Sequence, residues 1–258
     1  MKIYKQIDCF RRNLKFWKFL GIYPLDIDWP FYSYYSFFFI LLFSITYNVI
    51  FTINLYFLPR HIDNFIEELI FYFTVLAAMS KVLTFVFMSD KIKDLLNILE
   101  SDMFQPETVK ATKIIDSAKA FNKRYWQIYM GVSATSNVVH VMSPFLTHLI
   151  LKVELILPIC SYSFLSDDVK ETFIYPLYFY QCIGMHFIML YNVNIDSFIL
   201  GLMILIIAQL EVLEEKMSDI TADFEDEIDF TSRTKKLANE KLNLKLNKAL
   251  IHYDQVTQ

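Results

Sequence analysis

Four polar residues that could take part in binding or catalysis form a stripe along one apolar stretch of this chain. Spacings of three and four residues place its members on one face of a helix: Ser133, Ser136, Asn137 and His140. Hydroxyl, amide and imidazole groups donate and accept hydrogen bonds, and such a face does not point at lipid. We therefore expect the stripe to pack on other helices or to line a cavity.

A second polar group lies in the middle of a later apolar stretch and includes a carboxylate. Its members are Asn192, Asn194 and Asp196. An ionisable residue inside a membrane is a pointer to function by default, although packing against a neighbouring helix satisfies it equally well. Lys81 lies close to the inner end of another apolar stretch, and we expect its ammonium group to reach the interface rather than to be buried.

Enzymatic chemistry finds no support in the sequence. There is no phosphate-binding glycine loop, no nucleophile elbow, no zinc-protease motif and no paired-cysteine metal site. His140 and His148 are eight residues apart, too far for ligation from adjacent turns, and His186 is the candidate partner from the later stretch. A lone histidine in a membrane helix is usually hydrogen-bonded to a neighbour. We therefore predict no enzyme activity, no catalytic residue, no metal site and no cofactor.

Four long apolar runs position these polar groups. Crossing a bilayer takes about 20 apolar helical residues, and four runs reach that length: Tyr34–Leu58, Phe65–Met88, Trp126–Leu151 and Phe173–Leu210. Hydrophobic residues make up 55% of the chain, which agrees with a membrane protein. The predicted fold class is all-α, a polytopic membrane helix bundle with four transmembrane helices.

The basic residues alternate strictly between the segments that these runs separate. Six precede the first run, one lies between the first and second, seven between the second and third, two between the third and fourth, and seven follow the fourth. Lysine and arginine are retained on the cytoplasmic side of a membrane. The N-terminus, the second connecting loop and the C-terminal segment are therefore predicted to be cytoplasmic.

These boundaries divide the chain into three parts. Residues 1–33 form a cytoplasmic tail, in which alternating bases and aromatics are typical of an amphipathic helix in the headgroup region. Residues 34–210 form the transmembrane domain. Residues 211–258 form a cytoplasmic helical segment, with leucines at helical spacing over Arg233–Leu250.

The polar stretch between the second and third runs also has helical spacing. Asp90–Tyr125 carries apolar residues at intervals of three and four, and Gln105-Pro106 marks a turn within it. We expect a cytoplasmic helical hairpin that extends both neighbouring runs.

Four strings carry a resemblance to a known family. They are Trp17–Pro24, Tyr178–Cys182, Tyr191–Phe198 and Ala208–Leu213, which read WKFLGIYP, YFYQC, YNVNIDSF and AQLEVL. Together with the cytoplasmic N-terminus, they make the chain similar to the insect odorant receptors, seven-helix olfactory receptors unrelated to G-protein-coupled ones. The resemblance covers the whole chain, and the strings of the fourth run are its most specific part.

The resemblance implies a function in olfactory signal transduction. It implies a receptor subunit that binds small volatile organic ligands in the outer half of the bundle and gates a non-selective cation channel together with a co-receptor subunit. The implied partners are the ligand, the lipid bilayer and the co-receptor in a hetero-oligomer, with no nucleic acid. The implied location is the plasma membrane of olfactory sensory neurons, where the chain is a multi-pass protein.

The length of the chain leaves two alternatives open. Family members have seven membrane helices, so the resemblance implies that this chain is truncated after the fourth. A non-conducting truncated receptor fragment is one alternative, and an unrelated four-helix membrane protein is the other.

The resemblance places the odorant pocket among helices two, three, four and six. By depth and face on the predicted helices, we assign seven residues to it: Phe71, Tyr72, Val75, Ser136, His140, Met185 and Met189. Methionine and aromatic side chains make an adaptable wall for small apolar ligands. Simple packing of helix on helix is the alternative for each of these residues.

Overall fold

The computed structural model describes residues 5–23, 29–58 and 62–227, together with residues 247, 250 and 251. The predicted helix over Arg233–Leu250 therefore lies almost entirely outside the described residues. Within the described part the chain is helical and contains no strand. The α-helices are α1 (Arg11–Leu20), α2 (Tyr32–Ile40), α3 (Thr46–Phe57), α4 (Ile62–Phe87), α5 (Ser89–Leu99), α6 (Val109–Leu151) and α7 (Asp167–Glu227).

The predicted tail helix is α1, preceded by a 3₁₀ turn over Ile7–Phe10. It ends at Gly21, whose φ of 77° is a left-handed conformation that glycine adopts without steric cost. A Cβ at this position would also lie 3.0 Å from the Cα of Ser36. Both observations explain why glycine terminates the helix here.

A π-helical segment, Leu41–Ile45, joins α2 to α3 within one continuous helical stretch. The carbonyl of Leu42 accepts a hydrogen bond from the Tyr180 hydroxyl at 3.1 Å. The carbonyl of Ser44 accepts one from the Asn48 side chain at 2.8 Å. A π segment loosens the regular helical ladder, and these side chains supply partners for carbonyls within it.

Proline and capping residues shape the two longest helices. Thr108 precedes α6, and its hydroxyl accepts a hydrogen bond from the Ala111 amide at 2.9 Å, a regular N-cap contact. Helix α7 begins with Asp167 and is kinked at Phe173, three residues before Pro176. A proline ring clashes with the preceding turn and removes one helical hydrogen bond, so the kink belongs to Pro176.

Three helical stretches of the described residues are long and apolar enough to cross a membrane: Tyr32–Phe57, Glu68–Phe87 and Asp167–Asp219. They overlap the first, second and fourth predicted runs, with ends that differ by up to three residues in the first two, and the prediction of a helical membrane bundle is confirmed. The third run lies within α6 but is not among the three stretches. Serine, asparagine, threonine and histidine residues lower its apolar content, so its crossing stays a prediction.

The chain divides into two compact units. The described residues of the first unit are 5–11, 94–124 and 198–227, together with residues 247, 250 and 251. Its core contains Ala111, Ile115 and Val212. Beside this core, the side-chain amide of the buried Gln209 donates to Gln6 Oε1 at 3.0 Å.

The second unit holds the described residues of 12–93 and 125–197. Its core is a cluster of buried aromatic and aliphatic side chains: Tyr47, Phe51, Val75, Ala78, Ile159, Cys160, Tyr162 and Ile188. Three of these come from the segment between α6 and α7. That segment is therefore part of the packed core of this unit rather than a solvated connection.

Candidate functional site

A cavity of about 170 Å³ lies inside the second unit and is called the smaller cavity here. Its lining side chains are Tyr47, Phe71, Thr74, Val75, Tyr129, Ser133, Met185, Ile188, Met189, Asn192 and Val193. They come from α3, α4, α6 and α7. On α4 and α7 they recur at intervals of three and four residues, which is the spacing of one helix face.

Four of the seven residues predicted to bind ligand line this smaller cavity. They are Phe71 and Val75 on α4 and Met185 and Met189 on α7. Each pair is separated by four residues, so one helical turn aims both members at the same space. The structure brings these four together.

The other three predicted ligand residues lie elsewhere. Tyr72 packs beside the core cluster, and its hydroxyl lies 3.4 Å from Thr52 Oγ1. Ser136 is exposed on α6 and lines neither this cavity nor a second, larger cavity of the same unit. His140 lines that larger cavity.

The larger cavity has a volume of about 810 Å³ and is partly open. Its walls include the ionisable side chains of Glu68, His140 and Lys170, and its other wall residues include the segment from Ile156 to Cys160. Phe71 lines both cavities. Its ring centroid lies 5.3 Å from that of His140, at an interplanar angle of 37°.

Three of the four residues in the polar stripe of α6 pack on other parts of their unit or face a cavity, whereas Ser136 is exposed. His140 Nε2 lies 3.2 Å from the Pro158 carbonyl oxygen. Asn137 is buried, and its Oδ1 lies 3.3 Å from His186 Nδ1. Ser133 faces the smaller cavity. In the described residues no group of three histidine, cysteine or carboxylate side chains is placed to hold a metal ion.

Lys81 pairs with polar side chains of α7. Its Nζ lies 2.8 and 2.9 Å from the two carboxylate oxygens of Asp196 and 3.1 Å from Asn192 Oδ1. The Lys81 side chain is 38% exposed and faces an opposite charge on α7, and its expected reach to the interface stays a prediction. Pairing with that charge satisfies a lysine in a membrane helix.

The remaining asparagine of the second polar group, Asn194, serves helix packing. It is fully buried, and its backbone carbonyl accepts a hydrogen bond from Asn13 of α1 at 2.9 Å. Asn13 also donates to Ser197 Oγ at 2.8 Å. Trp126 Nε1 donates to Asn194 Oδ1 at 3.2 Å. Helix α1 is thus docked by polar contacts of its buried face, while Arg11, Lys15 and Lys18 on its other face stay exposed.

One buried glutamine holds the segment between α6 and α7. Gln181 Oε1 accepts hydrogen bonds from the backbone amides of Ile159 and Cys160 at 3.2 and 3.3 Å. Its Nε2 donates to the Cys160 carbonyl at 2.6 Å. A second contact joins the segment to α4, since Ser161 Oγ donates to Glu68 Oε1 at 2.8 Å. These contacts fix the wall that the segment gives to the larger cavity.

Sequence reasoning missed several wall residues of the smaller cavity: Tyr47, Thr74, Tyr129, Ile188 and Val193. For Tyr129 a signal existed, because it lies four residues before Ser133 and so continues the polar stripe by one turn. Ile188 lies three residues after Met185, so helical spacing also places it on the cavity face. For Tyr47 no signal existed, since nothing in the first run distinguishes one aromatic face from another.

The smaller cavity suits a small, largely apolar ligand. Aromatic, methionine and aliphatic side chains form most of its wall, with four hydroxyl groups and one amide at defined places, the usual composition of a ligand site. Methionine side chains adapt their shape to the ligand at little cost. Binding by shape, dispersion and one or two hydrogen bonds is the chemistry that this wall supports.

The chain matches a known protein family. The family model described as 7tm Odorant receptor matches residues 61–250, which is about three quarters of the chain. The matched range contains α4 to α7 and with them almost all walls of both cavities. No curated protein matches the chain.

Proposed function

Because this chain belongs to the 7tm odorant receptor family, we propose that it is an odorant-binding subunit that gates a cation channel together with a co-receptor. Membership makes it a receptor in a multi-pass membrane protein family rather than an enzyme or an unrelated four-helix protein. Its ligands are small volatile organic molecules. The co-receptor, the cation current and the plasma membrane of olfactory sensory neurons belong to this proposal.

The observation that carries the proposal is the smaller cavity. A largely apolar space of about 170 Å³ matches ligands that are small and volatile, because volatile molecules offer few polar groups and bind by contact area. Met185 and Met189 of α7 and Phe71 and Val75 of α4 all contribute to its wall. A ligand there contacts two helices at once.

Electrical recording tests this function. We would measure ligand-evoked cation current in cells that express this chain with the family's co-receptor, and compare it with cells that express the co-receptor alone. Met185→Trp fills the cavity and is expected to abolish the added response. Met203→Trp is the matched control, because Met203 is 56% exposed on the same helix. A response that persists in Met185→Trp, or no added response with surface expression confirmed, contradicts the proposal.

The proposed orientation can be tested separately. We propose a cytoplasmic N-terminus, a transmembrane domain over 34–210 and a cytoplasmic segment from 211, as the basic residues indicate. An epitope tag at the N-terminus is then stained in permeabilised cells and not in intact ones. Staining of intact cells contradicts the orientation.

A further inference from the structure

We propose that the smaller cavity selects ligands that carry a hydrogen-bond acceptor, such as a carbonyl oxygen, because Asn192 presents its amide N–H donors to the cavity. This inference rests on the proposed function, since it names the chemical class of ligand for that site. In the proposed contact the protein supplies the hydrogen-bond donor and the ligand supplies the acceptor.

The orientation of the Asn192 amide is set by Lys81. The ammonium group of Lys81 lies 3.1 Å from Asn192 Oδ1. An ammonium group has three donors and no acceptor, so the amide oxygen must face it. Rotation of the amide would bring two donors together. Asp196 holds Lys81 in place with contacts of 2.8 and 2.9 Å.

The amide nitrogen of Asn192 is the atom left for the ligand. Asn192 lines the smaller cavity, whereas Lys81 and Asp196 do not. In the described residues, Asn192 Nδ2 has no hydrogen-bond partner. The positive charge beside Oδ1 polarises the amide, and a polarised group is a stronger donor. The ion pair therefore fixes both the direction and the strength of the donor.

Other hydroxyl protons around the cavity are used within the protein. The Tyr47 hydroxyl donates to the Gln181 carbonyl at 3.2 Å. The Thr74 hydroxyl donates to the Ile70 carbonyl at 2.9 Å. The Tyr129 hydroxyl lies close enough to the Asp196 carboxylate to feel its negative charge, which attracts the hydroxyl proton. Among the described residues, Ser133 has no such partner, and its hydroxyl is a second donor for the ligand.

The cavity volume limits the size of that ligand. About 170 Å³ corresponds to roughly six water molecules at about 30 Å³ each, which is less than the usual range for drug-sized ligands. A short-chain ketone, aldehyde or ester fits this limit. Its carbonyl oxygen meets Asn192, and its alkyl chain lies against the methionine and aromatic walls.

A matched pair of ligands tests the inference on the purified full chain in lipid nanodiscs. The pair is 2-hexanone and 2-methyl-1-hexene, which differ by a carbonyl oxygen in place of a methylene group. Affinity is measured from the shift of the unfolding temperature with ligand concentration. The readout is the ratio of the two affinities in each variant, because partition into lipid is the same for all variants and cancels.

We expect Asn192→Leu to lower the ketone-to-alkene ratio about tenfold, the worth of one good hydrogen bond, while the alkene affinity stays within about twofold. Asn192→Asp keeps the side-chain size and an oxygen partner for Lys81 but removes the N–H donor. It should therefore fold normally and still bind the ketone more weakly, which separates loss of the donor from a folding defect. Thr135→Val is the control, because the Thr135 hydroxyl bonds the Gly131 carbonyl on the exposed side of α6; it leaves the ratio unchanged.

Several results would overturn the inference: an unchanged ratio in Asn192→Leu, full ketone affinity in Asn192→Asp, an equal loss in Thr135→Val, or binding of neither ligand. Failure of the proposed function is a different result. If cells that express the chain with the co-receptor show no added ligand-evoked current, while the purified chain keeps the affinity ratio, the channel role alone is overturned. A current that ketone and alkene evoke equally overturns acceptor selection alone.

Discussion

The rings of Phe71 and His140 lie 5.3 Å apart between centroids, at the place where the two cavities of the second unit share a wall. Phe71 lines both cavities and His140 lines the larger one. The aromatic ring of Phe71 therefore bounds the ligand space of the smaller cavity on the side of the larger one. The size of this side chain should set the length of ligand that fits.

Truncation of this ring is expected to change ligand size preference. Phe71→Ala removes the shared wall, so longer members of a homologous ketone series gain affinity relative to shorter ones. Concentration–response curves across the series measure the shift. Phe73→Ala is the control, because Phe73 is 57% exposed on the same helix. An unchanged preference in Phe71→Ala would show that the ring does not bound the ligand space.

The Lys81–Asp196 ion pair should make the two residues interdependent for stability. Lys81→Met leaves the Asp196 carboxylate unpaired among helices, and Asp196→Asn leaves the ammonium unpaired; each is expected to lower the unfolding temperature. The double variant removes both charges, so its loss should be smaller than the sum of the single losses. Thermal unfolding in detergent of the wild type, the two single variants and the double variant completes this double-mutant cycle. Additive losses contradict a direct pair.

Two glycines of the second unit should respond oppositely to the same substitution. A Cβ on Gly184 would lie 2.3 Å from Cε2 and 2.6 Å from Cδ2 of the buried Tyr47 ring, while a Cβ on Gly131 meets nothing within 4 Å. Gly184→Ala must therefore displace Tyr47 and is expected to destabilise the chain. Gly131→Ala should be neutral or gain up to about 1 kcal/mol from helix propensity. The unfolding temperatures of the two variants test this prediction. If Gly184→Ala is no less stable than Gly131→Ala, the close packing of Tyr47 against Gly184 is contradicted.

Gln181 should control the order of the segment between α6 and α7. Gln181→Leu removes one acceptor and one donor, which leaves the amides of Ile159 and Cys160 without a partner, at a cost of about 1–3 kcal/mol for each unsatisfied group. Faster hydrogen exchange at those two amides is the expected result. Gln127→Leu serves as the control, because Gln127 is exposed on α6. Unchanged exchange in Gln181→Leu would contradict the role of this side chain.

The thiol of Cys160 should be inert at neutral pH. Burial, with a smaller contribution from the charge of Glu68, raises the pKa of Cys160 from 9.0 to about 12. The thiolate is the reactive form, and the raised pKa leaves very little of it at neutral pH. We expect slow alkylation of Cys160, measured site by site with mass spectrometry. In a Cys160→Ala background, Ser161→Cys places a thiol at an exposed neighbour and should react rapidly. Comparable rates contradict the burial.

The raised pKa of the Cys160 thiol also predicts that the free energy of unfolding falls at alkaline pH. The folded state holds this proton up to about pH 12, whereas the unfolded state releases it above 9.0. Stability contributed by the neutral thiol is therefore complete below pH 9 and is lost as the pH rises toward 12. Cys160→Ala should flatten this alkaline loss in pH-dependent unfolding. An identical alkaline slope in the variant contradicts the linkage.

The sequence by itself determined the helices and the spacing of residues along them. Apolar length predicted the first, second and fourth runs, and the turn at Gln105-Pro106 separates α5 from α6 as expected. Intervals of three and four residues also predicted that Phe71 and Val75, and Met185 and Met189, share faces. These properties are local, because helix geometry follows from the order of neighbouring residues alone.

Only the tertiary structure decided which faces meet. Lys81 and Asp196 are 115 residues apart, and Asn13 reaches Ser197 across 184 residues. Periodicity orients a side chain about its own helix axis but does not choose the neighbouring helix. That choice depends on the fit of whole surfaces, such as the Tyr47 ring against Gly184, because a close-packed interior accepts few arrangements of its side chains. The donor that Asn192 offers to a ligand depends on this long-range fit.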